Sequence, residues 1–587
     1  MKGFDVLKVK SAVKTRNQFD LSHSHLTTMN FGEIVPMLAE EVIPGDKFSI
    51  NSEYFSRMAP LVKPTYGQFS FKTCTAFIPY HQLAVDSDAW LAGKTTWEGQ
   101  SPHHRYFTVQ TLALYIANYC VTTVGATSAN TQFTYVNSSG VRTYSTFTKV
   151  GKYYVKILNA LGYAIPQNAD FSSGSAFSTS AGLVKLSAYP LLAFFKLYND
   201  YMSQSQRFNS SPLSTFLQNV KYGRTQTGYT PSSGAIDQTG LNIMFTNLYL
   251  NYENDYFTTA WQQPNNAINS VENISGIAVP TAPSVQNLGT VVDGLADNTL
   301  QLGVQSSLVS LGQRALDFLK SFDDWVRRNN YSGSRAVQQI YSRFGIKTDD
   351  YKSHYANVLS TDVLPVQVGD VTATADASGV PLGDYAGKGI MNGSKGVSCE
   401  VSDYGIILIL GYFTVRPMNS YGFDKRVLRS SPLDYYNPEF DGIGAEAISL
   451  GEVFANPIAG TTDTTADNQV FGYTERYNAY RYGRDVITGE FRDYNNVGDM
   501  NVWHTGRLLG DIRAAGNLVA QSTSMNTLPQ IDSEYNRIFS VTSGSVDHFY
   551  VTARFNINAV RPMLNLNQVV KLGEGSTTVP RNGNVIS

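Results

Sequence analysis

"DHFYVTARFNINAVRP", residues 547–562, decides what kind of molecule this chain builds. From Phe549 onward, Val551, Ala553, Phe555, Ile557 and Ala559 alternate with Thr552, Arg554, Asn556 and Asn558. A repeat of two places every second side chain on the same face, which is the pattern of a half-buried strand. "YGQFSFKTCTAFIPY" at 66–80 alternates aromatic and polar residues in the same way. Between these two stretches, "LNIMFTNLYLNYENDYFTTAW" (241–261) and "VSCEVSDYGIILILGYFTVRP" (397–417) are again β-branched and aromatic and read as further strands. The run Gly405–Val415 is about half the length needed to span a bilayer, so it reads as a buried strand. Strands at both ends and in the middle, separated by very long connections, suit a jelly roll or sandwich whose loops have grown into subdomains.

The composition agrees with that picture. Of 587 residues, 42% are hydrophobic and only 16% charged, against roughly 25% charged in ordinary soluble domains. The chain has 36 Tyr and 31 Phe, which favour pleated, half-buried surfaces over charged amphipathic helices. A surface so poor in charge suggests cover by other copies of the chain. The net charge of −2 gives no overall bias toward nucleic acid. The N-terminus is different: Lys2, Lys8, Lys10, Lys14 and Arg16 have only Asp5 among them, and read either as a solvated tail or as a basic arm on phosphates. Cys74, Cys120 and Cys399 are too dispersed for a disulfide scaffold or zinc ribbon, and reduced thiols in a cytoplasmically made protein are the simplest account. No apolar core of a signal peptide is apparent, and no membrane insertion is expected.

Helical periodicity is confined to a few patches. Leu308, Leu311, Ala315, Phe318, Leu319 and Phe322 recur at spacings of three and four, and 334–345 follows, so a helical pair is expected over 302–346. A third helix is expected in "YPLLAFFKLYNDYM", 189–202. The tracts 124–147, 165–181, 203–240, 262–300 and 366–396 show little apolar periodicity and read as long functional loops.

Signatures of chemistry are missing: there is no nucleophile elbow, zinc-protease helix, Walker loop or dinucleotide fingerprint. His23 and His25 would share one face of a strand, yet a third metal ligand would have to come from Asp20 or Glu33; an arm packing against a neighbour is the simpler reading. His103-His104-Arg105 could touch phosphate or cap a loop, and Asp323-Asp324 beside Arg327-Arg328 reads as a solvated face. Asp434, Glu439, Asp441, Glu446 and Glu452 do not match an EF-hand loop, though their density would allow calcium between subunits; otherwise no cofactor is expected. The densest constellation, 471–492, interleaves Tyr473, Tyr477, Tyr480 and Tyr482 with Arg476, Arg481, Arg484 and Arg492. Rings beside guanidinium groups suit a single-stranded nucleic-acid surface, and equally a packed contact between subunits.

An ordered series of segments then resembles the major capsid proteins of the small icosahedral single-stranded DNA phages, the Microviridae, and their gokushovirus-like branch in particular. It comprises "FDLSHSHLTTMNFGEIVPMLAEEVIPGD" (19–46), "FIPYHQLAVDSDAWLAG" (77–93), "YPLLAFFKLYNDYM", "NDYFTTAWQQP" (254–264), "RALDFLKSFDDWVRRNNYSGSRAVQQIYSRFGIK" (314–347), "VFGYTERYNAYRYGRDVITGEFR" (470–492), "NVWHTGR" (501–507) and "VRPM" (560–563). The resemblance implies a mainly β fold, an eight-stranded antiparallel jelly roll with large insertions containing a few α-helices, and no enzyme activity. It implies self-assembly into a T=1 shell around circular single-stranded DNA, in a virion assembled in the bacterial cytoplasm. Scaffolding, pilot or DNA-binding proteins and a host receptor are implied partners. Residues 1–46 would form a basic arm and 47–587 one capsid domain. Within it 262–300 would supply a threefold spike, and 124–181 and 203–240 other surface or interface loops. Lys2, Lys8, Lys10, Lys14, Arg16, Arg476, Arg481 and Arg484 are the candidates for DNA. His23, His25, Tyr473, Tyr477, Tyr480 and Tyr482 are the candidates for subunit contact. The competing reading is a carbohydrate-binding or carbohydrate-active β-protein, which would need a paired carboxylate cleft.

Overall fold

The computed structural model describes residues 16–260, 355–453 and 470–563, apart from short stretches at 125–130, 204–211, 373–384, 493–498 and 508–532 and a few isolated positions. Lys2, Lys8, Lys10, Lys14, the 262–300 tract and the helical pair at 302–346 lie outside the described residues.

Twelve strands are enough to follow the body of the molecule. They are β1 (Asn17–Asp20), β2 (His23–Met29), β3 (Ile34–Val42), β4 (Lys47–Met58), β5 (Phe69–Pro79), β6 (Asn357–Pro365), β7 (Gln367–Thr372), β8 (Tyr385–Glu400), β9 (Gly405–Val415), β10 (Ala445–Ser449), β11 (Val470–Glu475) and β12 (Phe549–Arg561). One antiparallel sheet runs β2-β12-β4-β8-β7, with β1 continuing the β2 edge along β12. The other runs β6-β5-β9-β3, also antiparallel. Setting β1, β7, β10 and β11 aside leaves eight strands. In chain order, one sheet contains the first, eighth, third and sixth, and the other the second, seventh, fourth and fifth. Two sheets woven in that order form a jelly roll, in which successive strands cross from one sheet to the other except at β5 and β6, which pair within one sheet. The fold class read from the sequence is therefore the one observed.

Burial follows the alternation. On β12, Phe549, Val551, Ala553, Phe555, Ile557 and Ala559 are all buried, and on β4 Phe48, Ile50, Tyr54 and Met58 face the same core. Phe413 stacks on Phe549 with ring centroids 3.9 Å apart, closing the two sheets on each other. The second sheet is covered on its outer face too. Helix α1 (Lys149–Ala160) packs on β3, and α2 (Tyr189–Leu197) packs on β5 and β9. Cover on both faces explains why β9 reads GIILILGYFTV with no polar alternation: only Tyr412 is more than marginally exposed.

The helices come from the connection between β5 and β6, residues 80–356, and a second long connection, 416–548, joins β9 to β12. Several expectations change here. The tract 124–181 is not loop alone: Val121–Val124, Phe133–Val136, Arg142–Phe147 and Ala169–Asp170 make a small sheet beside α1. Thr148 caps α1 by accepting from the Gly151 N–H, and the helix buries Tyr153, Tyr154, Ile157 and Leu158. The 203–240 tract likewise holds helix α3 (Pro212–Lys221). The stretch 241–261 does not start as a strand, because helix α4 (Gln238–Phe245) runs into it. Asp237 starts that helix by accepting from the N–H groups of Thr239 and Gly240, a local signal that outweighs the β-prone composition downstream. Residues 17–42, assigned to an arm, instead supply β1, β2 and β3, so the body of the fold begins at Asn17.

Candidate nucleic-acid and subunit interfaces

The basic segment enters the body at a defined place. Gly45, in the turn Pro44–Asp46, has φ of +89°, which a glycine adopts without steric cost. The Arg16 guanidinium lies over this turn, 3.3 Å from where a Cβ on Gly45 would sit. Asp46 is fully buried beside Arg561 at 3.5 Å; burial raises its carboxyl, and the Ile43 N–H, Arg561 and Arg16 oppose that rise. Arg16, exposed, thus marks where the lysine-bearing segment joins the sandwich.

His23 and His25 sit on β2 opposite Phe555 and Ala553 of β12. The His23 ring tilts against Phe555 at 5.5 Å, with Nδ1 3.0 Å from the Leu21 carbonyl. His25 Nδ1 lies 2.9 Å from the Met37 carbonyl and ties β2 to β3. Asp20 accepts from Ser22, and Glu33 takes the Lys156 ammonium at 2.7 Å. Each prospective metal ligand therefore already has a partner within the chain. The strand remains an open sheet edge with Leu26 80% exposed, a surface suited to a neighbouring copy.

His103-His104-Arg105 is a packing feature. Arg105 is 2% exposed, pairs with Asp86 at 2.8 Å and donates to the Val220 carbonyl; His104 stacks on Trp90 and meets Tyr189 edge to face.

The Tyr/Arg segment folds on the second insertion, where β10 pairs with β11. Its members divide into two groups. Tyr473 pairs with Ala447 across the ladder, and Tyr477 is buried in the left-handed region at φ 62°, donating its N–H to Glu446 at 2.8 Å. Arg481 bridges Asp441 at 2.8 Å and Glu475 at 3.2 Å, and Arg476 lies over the Phe440 and Tyr477 rings. These four residues, Tyr473 through its backbone, hold the insertion together. Tyr480, Tyr482 and Arg484 instead line a cavity with Lys425, Arg426 and Arg429. The three cations of 424–429 escaped sequence reasoning; "DKRVLR" carried the signal, but nothing in the chain order shows that it folds beside Tyr480. Burial pushes the Tyr482 hydroxyl up to about 12 and holds Arg484 below the usual guanidinium range.

Within one chain the acidic run is taken up largely by its own neighbours. Asp434 caps the N–H groups of Ser430 and Ser431, Asp441 takes Arg481, Glu446 takes Lys425 at 3.3 Å, and Glu452 takes Lys425 at 3.1 Å. Among the described residues no cluster of three or more His, Cys, Asp or Glu side chains converges on one point. No helix among them is long and apolar enough to cross a membrane.

The family model for the capsid protein (F protein) matches residues 7–98 and 313–569, more than half of the chain. The first segment contains β1 to β5 and the second β6 to β12, so all eight jelly-roll strands fall inside the match. Capsid protein VP1 of Chlamydia phage 1 is 22% identical over 609 residues, covering 95% of this chain and 96% of that relative. Capsid protein VP1 of Bdellovibrio phage phiMH2K is 22% identical over 509 residues, covering 85% and 86%. These matches agree with the resemblance to the gokushovirus-like Microviridae. The sandwich topology and the family match lead to one conclusion: the chain belongs to the F-protein family of phage capsid proteins, a structural subunit of the virion shell with no enzymatic role.

Proposed function

We propose that copies of this chain close into a T=1 icosahedral shell around circular single-stranded DNA, with surface insertions serving host attachment. The observation that carries the reading is the intact eight-stranded sandwich, whose additional elements are concentrated in two connections, 80–356 and 416–548. A rigid body with long excursions can tile a shell while its insertions vary for partners. Lys2, Lys8, Lys10, Lys14 and Arg16 form the DNA-facing arm, where counterion release on binding phosphates gives affinity without sequence preference. The 262–300 tract is the spike that meets the host receptor. Scaffolding, pilot or DNA-binding proteins act during assembly in the bacterial cytoplasm. The free thiols support manufacture in a reducing compartment: burial pushes Cys74 and Cys120 up to about 12, where they are inert.

Electron microscopy of purified particles, with their nuclease-resistant nucleic acid identified, tests the reading. Closed shells of one size holding single-stranded DNA are expected. A monodisperse monomer at high concentration, or shells of another triangulation, would overturn it.

A further inference from the structure

A cavity of about 340 Å³ opens on the second insertion, between the short helix Lys425–Leu428, the turn Asn478–Tyr480 and the ring of Tyr256. That volume is at the lower end of the range for small-ligand sites. Its floor is ion-paired, with Lys425 between Glu452 and Glu446. Glu452, nearly fully buried, accepts from the Tyr256 hydroxyl at 3.0 Å, from Lys425 at 3.1 Å and from the Ser449 N–H at 3.0 Å. Its walls are aromatic. Tyr482 stacks on Tyr256 at 5.1 Å, and the rings of Phe423 and Tyr480 stay 45% and 50% exposed.

Its rim is cationic. Arg426, Arg429 and Arg484 outnumber the carboxylates around them: Asp424 takes two N–H groups of Arg426 at 3.1 and 2.7 Å, Glu452 is already held by Lys425 at 3.1 Å, and Asp434, which accepts from the Ser430 and Ser431 N–H groups, feels the charge of Arg429. Arg484 donates to the Gly422 carbonyl. Arg429 lies over the Tyr480 ring, 4.1 Å from its centroid, and meets no carboxylate at ion-pair distance among the described residues. A guanidinium over a ring keeps its in-plane donors for a planar or tetrahedral anion.

The geometry points to a nucleotide-binding pocket that takes one unit of single-stranded DNA, the base against Tyr480 and Phe423 and the phosphate on Arg429 and Arg426. The inference rests on the reading that the shell encloses such DNA, and gives that reading a defined site. An acidic peptide would satisfy the arginines but leave the exposed rings without a flat partner. A base with its phosphate uses both, and every base offers a face to stack.

The test uses the full chain and fluorescence anisotropy with a labelled short oligothymidylate. An abasic strand of equal length is the second probe, and polyglutamate the competitor. Arg429→Ala is expected to weaken oligothymidylate binding roughly tenfold, and Tyr480→Ala by a similar factor, on the scale of losing one stacked base. Tyr480→Ala should leave the abasic strand almost unaffected. Tyr480→Phe should bind like the parent chain, and so should Arg142→Ala, which removes a cation of the first insertion that does not line the cavity. Arg429→Lys should fall between parent and Arg429→Ala; melting curves of all variants report folding independently. If Arg429→Ala and Tyr480→Ala bind like the parent, the pocket is wrong while DNA enclosure stands. If polyglutamate or the abasic strand binds as well as oligothymidylate, a general anion site replaces the proposal. If the variants lose binding but purified particles hold no DNA, the pocket stands and enclosure fails.

Discussion

On β8 the inward positions 387, 389 and 393 are glycines, and the reason is steric. A Cβ on Gly389 would lie 2.1 Å from the Met58 sulfur, and one on Gly393 would lie 2.5 Å from a Leu364 methyl. Neighbouring side chains therefore fill the core volume that this strand leaves empty. Gly396, on the same strand, would meet nothing within 4 Å. Gly389→Val is accordingly expected to cost about 1–3 kcal/mol by overpacking, whereas Gly396→Val stays near neutral. Thermal melts of the two variants beside the parent check the contrast, and equal melting points would refute the packing argument. These glycines also explain why the 366–396 tract reads as a loop. A strand with glycine at three inward positions, and only Met391 buried among them, gives little apolar signal, although 385–400 pairs with β4 along its length from Ile390 to Glu400.

At the scale of elements, one buried ionic joint fastens the first insertion to the sandwich. Lys156 of α1 reaches Glu33 at 2.7 Å, in the β2–β3 turn, and Asp547 at 2.9 Å, just before β12. Asn30 donates to Asp547 at 2.8 Å, and its carbonyl faces His548 Nδ1 at 2.7 Å. Tyr153 of the same helix accepts the Ile34 N–H at 2.9 Å. Burial pushes the Asp547 carboxyl up, but Lys156 and the donors Thr28 and Asn30 outweigh it and hold the group below the usual carboxylate range. A carboxylate depressed in the folded state contributes stability that is present above its unfolded value, about 4, and is lost as pH falls through the folded value. Asp547→Asn should therefore flatten the acid limb of a stability-against-pH curve, measured by urea midpoints at neutral and acidic pH. A parallel acid limb in the variant would show that the joint does not titrate this way. Lys156→Met leaves two mostly buried carboxylates without their cation and is expected to destabilise the chain by about 3 kcal/mol. Proteolysis directed at 121–181 should rise with it if α1 detaches.

At the scale of the whole molecule, the charge pattern separates two tasks. Only 16% of the chain is charged, while Lys2, Lys8, Lys10 and Lys14 follow one another in sequence before Arg16, whose guanidinium lies at the Gly45 turn. Replacing Lys8, Lys10 and Lys14 together by Gln is expected to lower DNA per particle while shells still form, because the eight strands and their edges are untouched. Quantifying nucleic acid against protein in purified particles checks this, and an unchanged ratio would remove the arm from packaging. Because released counterions drive such contacts, DNA retained by the parent particles should decline as salt rises, and less steeply in the triple variant.

What the sequence by itself determined is the class of fold and the class of function. The alternation in 547–562 and 66–80 can bury one face only in a sheet, and it survives any choice of partner strand because the repeat is local. The ordered family segments along the chain carried the capsid reading. Tertiary structure alone decided which residues meet. It moved 17–42 from an arm into the sheets, because β2 finds its partner more than five hundred residues later in β12. It divided the Tyr/Arg segment, leaving Arg481 between Asp441 and Glu475 while Tyr480 gained Arg429 from "DKRVLR". The physical reason is the same in both cases. Periodicity is a property of neighbours along the chain, whereas a pocket or a ladder is set by contacts whose sequence separation no local pattern records.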